Sequence, residues 1–222
     1  MRHLAIGDIH GCSRALDALL ALVEPRPDDL IVTLGDYVDL GPDSKGVLDR
    51  LAELERTHKL VAVLGDHDQM LLDARNDATC DWFPSFGAAT LRSYGPESAF
   101  MSLVPTEHWE FLERCAHYHE TDTHVFVHAN ADAKLAMEWQ TTYMLRWEFL
   151  RAETSRPLRS GKTLVCGHTQ QKSGDVLNLG HAICVDTFAH GGGWLTCLDV
   201  LSGRVWQARE SGEPRLGSID DV

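Results

Sequence analysis

The sequence predicts an α/β protein with a parallel sheet in its first part and antiparallel strands in its second. Three observations predict it. Three apolar runs, Leu4-Ala-Ile-Gly-Asp8, Ile31-Val-Thr-Leu-Gly-Asp36 and Leu60-Val-Ala-Val-Leu-Gly-Asp66, each end in Gly-Asp. Two later runs, Val125-Phe-Val-His128 and Leu164-Val-Cys-Gly-His168, end in histidine. From residue 163 onward, short β-branched and aromatic segments alternate with turn residues. A short apolar run stopped by glycine reads as a buried strand, and strands that alternate with amphipathic helices form βαβ units.

The first strand is expected over 2–6. A helix follows over 13–23, with Leu16, Leu19, Leu20 and Val23 on one stripe. Pro25-Arg-Pro27 ends that helix. After the strand at Ile31, a second helix starts near Ser44 and points Val47, Leu48, Leu51 and Leu54 inward. A third strand over 60–64 leads into a helix over 66–75. Periodicity then fades across about 76–105, where Trp82, Phe83, Phe86, Tyr94 and Phe100 lie among Gly and Pro; this reads as a small, partly helical insertion over the cleft. Helices are expected over 107–115 and 137–150, with the strand ending in His128 between them. Strands over 163–166, 176–179, 182–185, 194–200 and 204–207 are expected to pair as antiparallel hairpins through turns such as Ser173-Gly174 and Ser202-Gly203. From Glu210 the chain reads as a loose acidic tail. One domain over 1–222 is expected, with two sheets face to face and helices outside.

The 222 residues include 20 basic and 33 acidic side chains, a net charge of −13 that opposes any broad grip on nucleic acid or an anionic membrane. An anionic substrate would need a local attractor, which bound cations supply. The six cysteines have no paired spacing and read as reduced thiols. With no leading apolar segment in the sequence, a cytoplasmic protein is expected.

Strand ends collect chemistry in open α/β sheets, so the terminal carboxylates and imidazoles are expected to meet. Carboxylate oxygen and imidazole nitrogen suit Mn²⁺, Fe or Zn²⁺, and a carboxylate can bridge two such ions. Asp36 is placed to bridge, with Asp8 and His10 on one ion and Asp66, His128 and His168 on the other. A hydroxide shared by the two ions would be the nucleophile. His67, next to Asp66, is the expected general acid, and Asp39 is the carboxylate that would orient it. The run of three glycines beside His190 is expected near the cleft, and His190 itself is left open between a surface and a cleft position.

Gly7-Asp-Ile-His-Gly11, Gly35-Asp-Tyr-Val-Asp39, Gly65-Asp-His-Asp68, His128-Ala-Asn130 and Gly167-His-Thr169, together with Ile183-Cys-Val-Asp-Thr187, resemble the calcineurin-like metallophosphoesterases, in particular their phosphoprotein phosphatase branch. The resemblance implies an αββα sandwich, two divalent ions (manganese, or iron and zinc), and hydrolysis of phosphoserine, phosphothreonine and in some bacterial members phosphotyrosine. Asp66 stands where that family usually has asparagine, which also helps to hold the phosphate. Leu40 and Leu64 stand where it often has arginine. An aliphatic side chain cannot replace a bidentate guanidinium, so Arg146 and Arg92 become the candidates for substrate binding. A phosphoprotein or a small phosphoester is the expected substrate. Two other readings stay open: a diadenosine polyphosphate hydrolase, and a weakly active metal-binding regulatory module.

Overall fold

A computed structural model describes residues 1–77, 82–95 and 101–221. Its secondary structure opens with β1 (His3–Ile6), α1 (Ser13–Val23), β2 (Leu30–Thr33), α2 (Ser44–Thr57), β3 (Lys59–Ala62) and α3 (Asp66–Asn76). Apolar residues at three- and four-residue spacing drive α1: Leu16, Leu19, Leu20 and Val23 are all buried. Burying each such side chain contributes roughly 1.5–3 kcal/mol. Asp43 caps α2 by accepting from the Gly46 amide at 2.9 Å. Of the 76–105 segment, the described part holds a π-helical turn (Phe83–Gly87), α4 (Ala88–Tyr94) and a 3₁₀ turn (Met101–Leu103). Phe100 and Cys80 lie outside the described residues.

The chain continues through α5 (Thr106–Arg114), β4 (Tyr118–Glu120), β5 (His124–Val127), α6 (Thr142–Arg146), β6 (Thr163–Cys166), β7 (Leu177–Asn178), β8 (Ala182–Cys184), β9 (Leu195–Asp199), β10 (Arg204–Ala208) and β11 (Pro214–Ser218). Two mixed sheets result, ordered β11-β10-β9-β1-β2-β3 and β4-β5-β6-β8-β7. In the first, β1, β2 and β3 run parallel; in the second, β5, β6 and β8 do. Ala5, Val32, Phe126, Val165, Ile183 and Leu198 form an apolar layer from both sheets. Helices α1 and α2 pack against the first sheet through Leu16, Leu19, Leu48 and Leu51, while Leu145, Leu150 and Leu158 pack against the second. Among the described residues no helix is long and apolar enough to cross a membrane.

Three expectations are corrected. The helix expected over 137–150 is a 3₁₀ turn (Met137–Trp139) followed by the five-residue α6. The Ala129 and Asn130 amides donate to the Leu145 and Met144 carbonyls, so this segment is pinned to the loop after β5 and cannot continue as a helix. Trp139 in that turn is 71 % exposed. Ser173-Gly174 closes no hairpin: β6 pairs in parallel with β8, and β7 is only the outer strand of a β7–β8 pair. The expected loose tail instead forms β11, held by backbone pairing to β10 although its side chains lack an apolar alternation. Glu210 is fastened as well, accepting from the Ala15 amide in the first turn of α1 at 2.9 Å.

Candidate metal centre

The ends of six parallel strands converge at one edge. Asp8, Asp36 and Asp66 follow β1, β2 and β3; His128, His168 and Asp186 follow β5, β6 and β8. The turns that carry them are conformationally unusual. Apart from Glu24 at the end of α1, every described non-glycine residue with positive φ is one of these residues or lies on a neighbouring loop: His10, Asp36, Asp39, Leu40, His168 and Phe188. Such backbone costs on the order of 1–3 kcal/mol per residue and persists where surrounding structure enforces it. Two glycines make the close approach possible. A Cβ on Gly65 would stand 2.1 Å from Asp36 Oδ1, and one on Gly167 would stand 1.9 Å from Asp8 Oδ1.

Asp36, Asp66, His128 and His168 each offer a donor atom within 4.8 Å of the others. His10, Asp36 and His67 form a second such group, so Asp36 belongs to both. Asp66 Oδ1 lies 2.9 Å from His128 Nε2 and 3.1 Å from His168 Nδ1. His10 Nε2 is 3.2 Å from Asp36 Oδ2. Asp8 joins the cluster by accepting from the His168 amide at 2.9 Å. The six residues expected to hold metal are therefore brought to one place.

Backbone carbonyls aim two of the imidazoles. His10 Nδ1 bonds Val38 O at 3.0 Å and His128 Nδ1 bonds Leu34 O at 2.7 Å, which turns each Nε2 toward the carboxylates. The electrostatics fit a cation. Burial opposes charge on Asp36, yet nearby His128, His10 and His67 hold its carboxyl well below the usual range. Burial likewise disfavours charge on His128, but Asp36, Asp66 and Asp8 push its pKa well up. The polypeptide thus balances its buried carboxylates with protons on imidazole, and a divalent ion taken by the same donors would displace those protons.

Beside this cluster His67 Nδ1 lies 2.9 Å from Asp39 Oδ2. Burial works against the imidazolium, but the Asp39 bond and the charges of Asp36 and Asp66 raise its pKa to about 9. Asp39 is fully buried, and it also accepts from Trp82 Nε1 at 2.8 Å and from the Thr90 hydroxyl. The 76–105 segment therefore braces this pair. Sequence reasoning missed Trp82 and Thr90 in this role, because nothing in their spacing ties them to Asp39, 43 and 51 positions away.

The expected substrate-binding arginines behave differently. Arg146 is 3 % exposed and bonds Gln69 Oε1 and His117 Nδ1, whereas Arg92 is exposed on α4. Leu40 lies at the surface, 39 % exposed, while Leu64 is buried. Phe149 stacks on the His168 ring with centroids 4.7 Å apart and lines a cavity of about 580 Å³ shared with Asn130, Lys134 and Arg156.

A two-sheet α/β sandwich with an Asp/His donor cluster at its strand ends is an arrangement able to hold divalent metal. The chain belongs to the calcineurin-like phosphoesterases, whose family model matches residues 1–172. It is 34 % identical to serine/threonine-protein phosphatase 1 of Salmonella typhimurium over 210 residues, 88 % of this chain and 90 % of that one. A shorter stretch of 69 residues is 51 % identical to the symmetrical bis(5'-nucleosyl)-tetraphosphatase of Klebsiella pneumoniae, 30 % of this chain and 23 % of that protein. In architecture the chain is similar to the cold-active protein-tyrosine phosphatase of a psychrophilic Shewanella, with a TM-score of 0.62 at 18 % identity, covering 97 % and 80 % of the two chains. The protein is thus a hydrolase of the metallophosphoesterase superfamily, a family that works with divalent metals.

Proposed function

We propose that the protein is a dinuclear metal-dependent phosphatase that hydrolyses phosphomonoesters, chiefly phosphoserine and phosphothreonine in proteins and also phosphotyrosine. The observation that carries this reading is the membership of Asp36 in both donor groups, with the His67–Asp39 pair alongside. Asp36 would be shared by two cations, with Asp8 and His10 completing one site and Asp66, His128 and His168 the other. Mn²⁺ is the expected ion, with iron and zinc as alternatives suited to the same donors. When bound, the cations polarise the phosphoryl group and acidify water to near neutrality.

The protein's own groups do the rest. Backbone contacts from Val38 and Leu34 hold the two imidazoles in the tautomer that presents Nε2. His67 donates its Nδ1 proton to Asp39 and keeps the Nε2 proton for the departing alkoxide or phenoxide. Likeness to serine/threonine-protein phosphatase 1 over most of both chains supports a phosphoprotein substrate.

A second reading, hydrolysis of diadenosine polyphosphates, draws support from the cavity beside Phe149 and from local identity to a tetraphosphatase. The deciding experiment is a Mn²⁺-supplemented assay with phosphoserine and phosphotyrosine peptides, p-nitrophenyl phosphate and diadenosine tetraphosphate. Turnover of peptides above the dinucleotide supports the first reading, and the reverse order replaces it with the second. Full metal occupancy without turnover of any substrate overturns both and leaves a metal-binding regulatory module.

A further inference from the structure

Asp186 stands just after β8 in register with His168 just after β6, since Cys184 and Cys166 are paired two residues before them. Its carboxylate is 2 % exposed, and its two oxygens are treated differently. Oδ1 accepts from the Phe188 amide at 3.0 Å, while Oδ2 is buried without a hydrogen-bond partner among the described residues. A buried carboxylate oxygen left without a hydrogen bond is costly, and it marks a place for a compensating group.

The surroundings indicate what that is. A Cβ built on Gly7 would lie 2.4 Å from Val185 O and 3.4 Å from the Asp186 amide nitrogen, so the loop after β8 packs directly on the loop that carries Asp8. From the other side, Gly167 and the His168 amide close on the Asp8 carboxylate. Asp8 and Asp186 therefore flank the same corner of the donor cluster. We infer that Asp186 is a further anionic group of the metal centre, its free Oδ2 facing the cation held by Asp8, His10 and Asp36. The inference rests on the dinuclear reading above.

Asp186→Asn tests this, because the amide oxygen can keep the bond from Phe188 while an uncharged NH2 replaces the free Oδ2. Wild type and variant are stripped with chelator, titrated with Mn²⁺ by calorimetry, and melted with and without the ion. The variant is expected to bind one Mn²⁺ as the wild type does and the other about 10- to 100-fold more weakly. Its metal-free melting temperature should hold or rise, since an unpaired buried charge is gone, while the rise produced by Mn²⁺ shrinks. Unchanged Mn²⁺ affinities together with a lower metal-free melting temperature would overturn the assignment and leave Asp186 as a brace for the Phe188 turn. A wild type that takes up no Mn²⁺ overturns the dinuclear reading itself, a failure distinguishable from that of Asp186 alone.

Discussion

The two sides of the candidate site are built to different standards. The donor cluster is buried, its glycines leave room for close carboxylates, and its imidazoles are fixed by carbonyls. The rim that would meet substrate has Leu40 and Phe149 exposed, and the buried Arg146 is engaged with Gln69 and His117. Geometry at the donors is set by backbone and packing, so it tolerates divergence nearby. Grip on a phosphate depends on individual long side chains, each of which a single substitution removes.

The largest break in this contrast is expected from Asp36→Asn. Removing the shared carboxylate should empty both cation sites and lower kcat/KM for p-nitrophenyl phosphate on the order of a thousandfold or more, a loss of several kcal/mol of charge stabilisation. Elemental analysis of the purified variant checks the first part. A variant that retains two ions would show that Asp36 does not bridge.

His67→Gln comes next, at roughly 10²- to 10⁴-fold in kcat on a phosphoserine peptide and less on p-nitrophenyl phosphate, whose phenoxide leaves without help. Asp39→Asn should follow in the same direction. The pH dependence has a definite sign. The His67 pKa is raised to about 9, so the Asp39 pairing stabilises the metal-free protein fully below the unfolded imidazole pKa, and that stability is lost as pH rises through about 9. Proton NMR of the imidazole should place its midpoint near 9 in metal-free protein and lower once Zn²⁺ neutralises Asp36 and Asp66. A midpoint that ignores Zn²⁺ would detach His67 from the cation sites.

Leu40→Arg sharpens the contrast from the other side. A guanidinium at this exposed position should lower KM for p-nitrophenyl phosphate by about tenfold, the order of one charge-assisted hydrogen bond, with metal content unchanged. Asp66→Asn should lower KM too, by relieving repulsion of the phosphate, but at some cost in metal affinity. No change of KM in either variant would mean that the rim is not what limits binding. The smallest effect is expected from Phe149→Leu, about threefold in KM for diadenosine tetraphosphate from loss of a stacking surface, and none for p-nitrophenyl phosphate. Equal effects on both substrates would remove the cavity from the account of specificity.

Much of the frame was legible because it is local. The helices of residues 13–23 and 44–57 follow from apolar spacing, and the strand ends at Asp8, Asp36, Asp66, His128 and His168 are marked by the apolar runs that precede them. Other parts left no local mark. β11 pairs through its backbone with side chains that carry no strand pattern, and the apolar 137–150 stretch is cut short by bonds to the loop after β5. Trp82 and Thr90 reach Asp39 across more than forty residues. Asp186 was visible as part of a motif, but its lone unpaired oxygen was not.

The sequence by itself determined which residues stand at the strand ends, because strand length, glycine position and side-chain chemistry are encoded in neighbouring residues. Only the tertiary structure decided which atoms of those residues face one another, that Asp39 is braced from the 76–105 segment, and that Arg146 is turned inward. Those outcomes depend on how two sheets register across a shared edge, and that relation joins residues far apart in the chain.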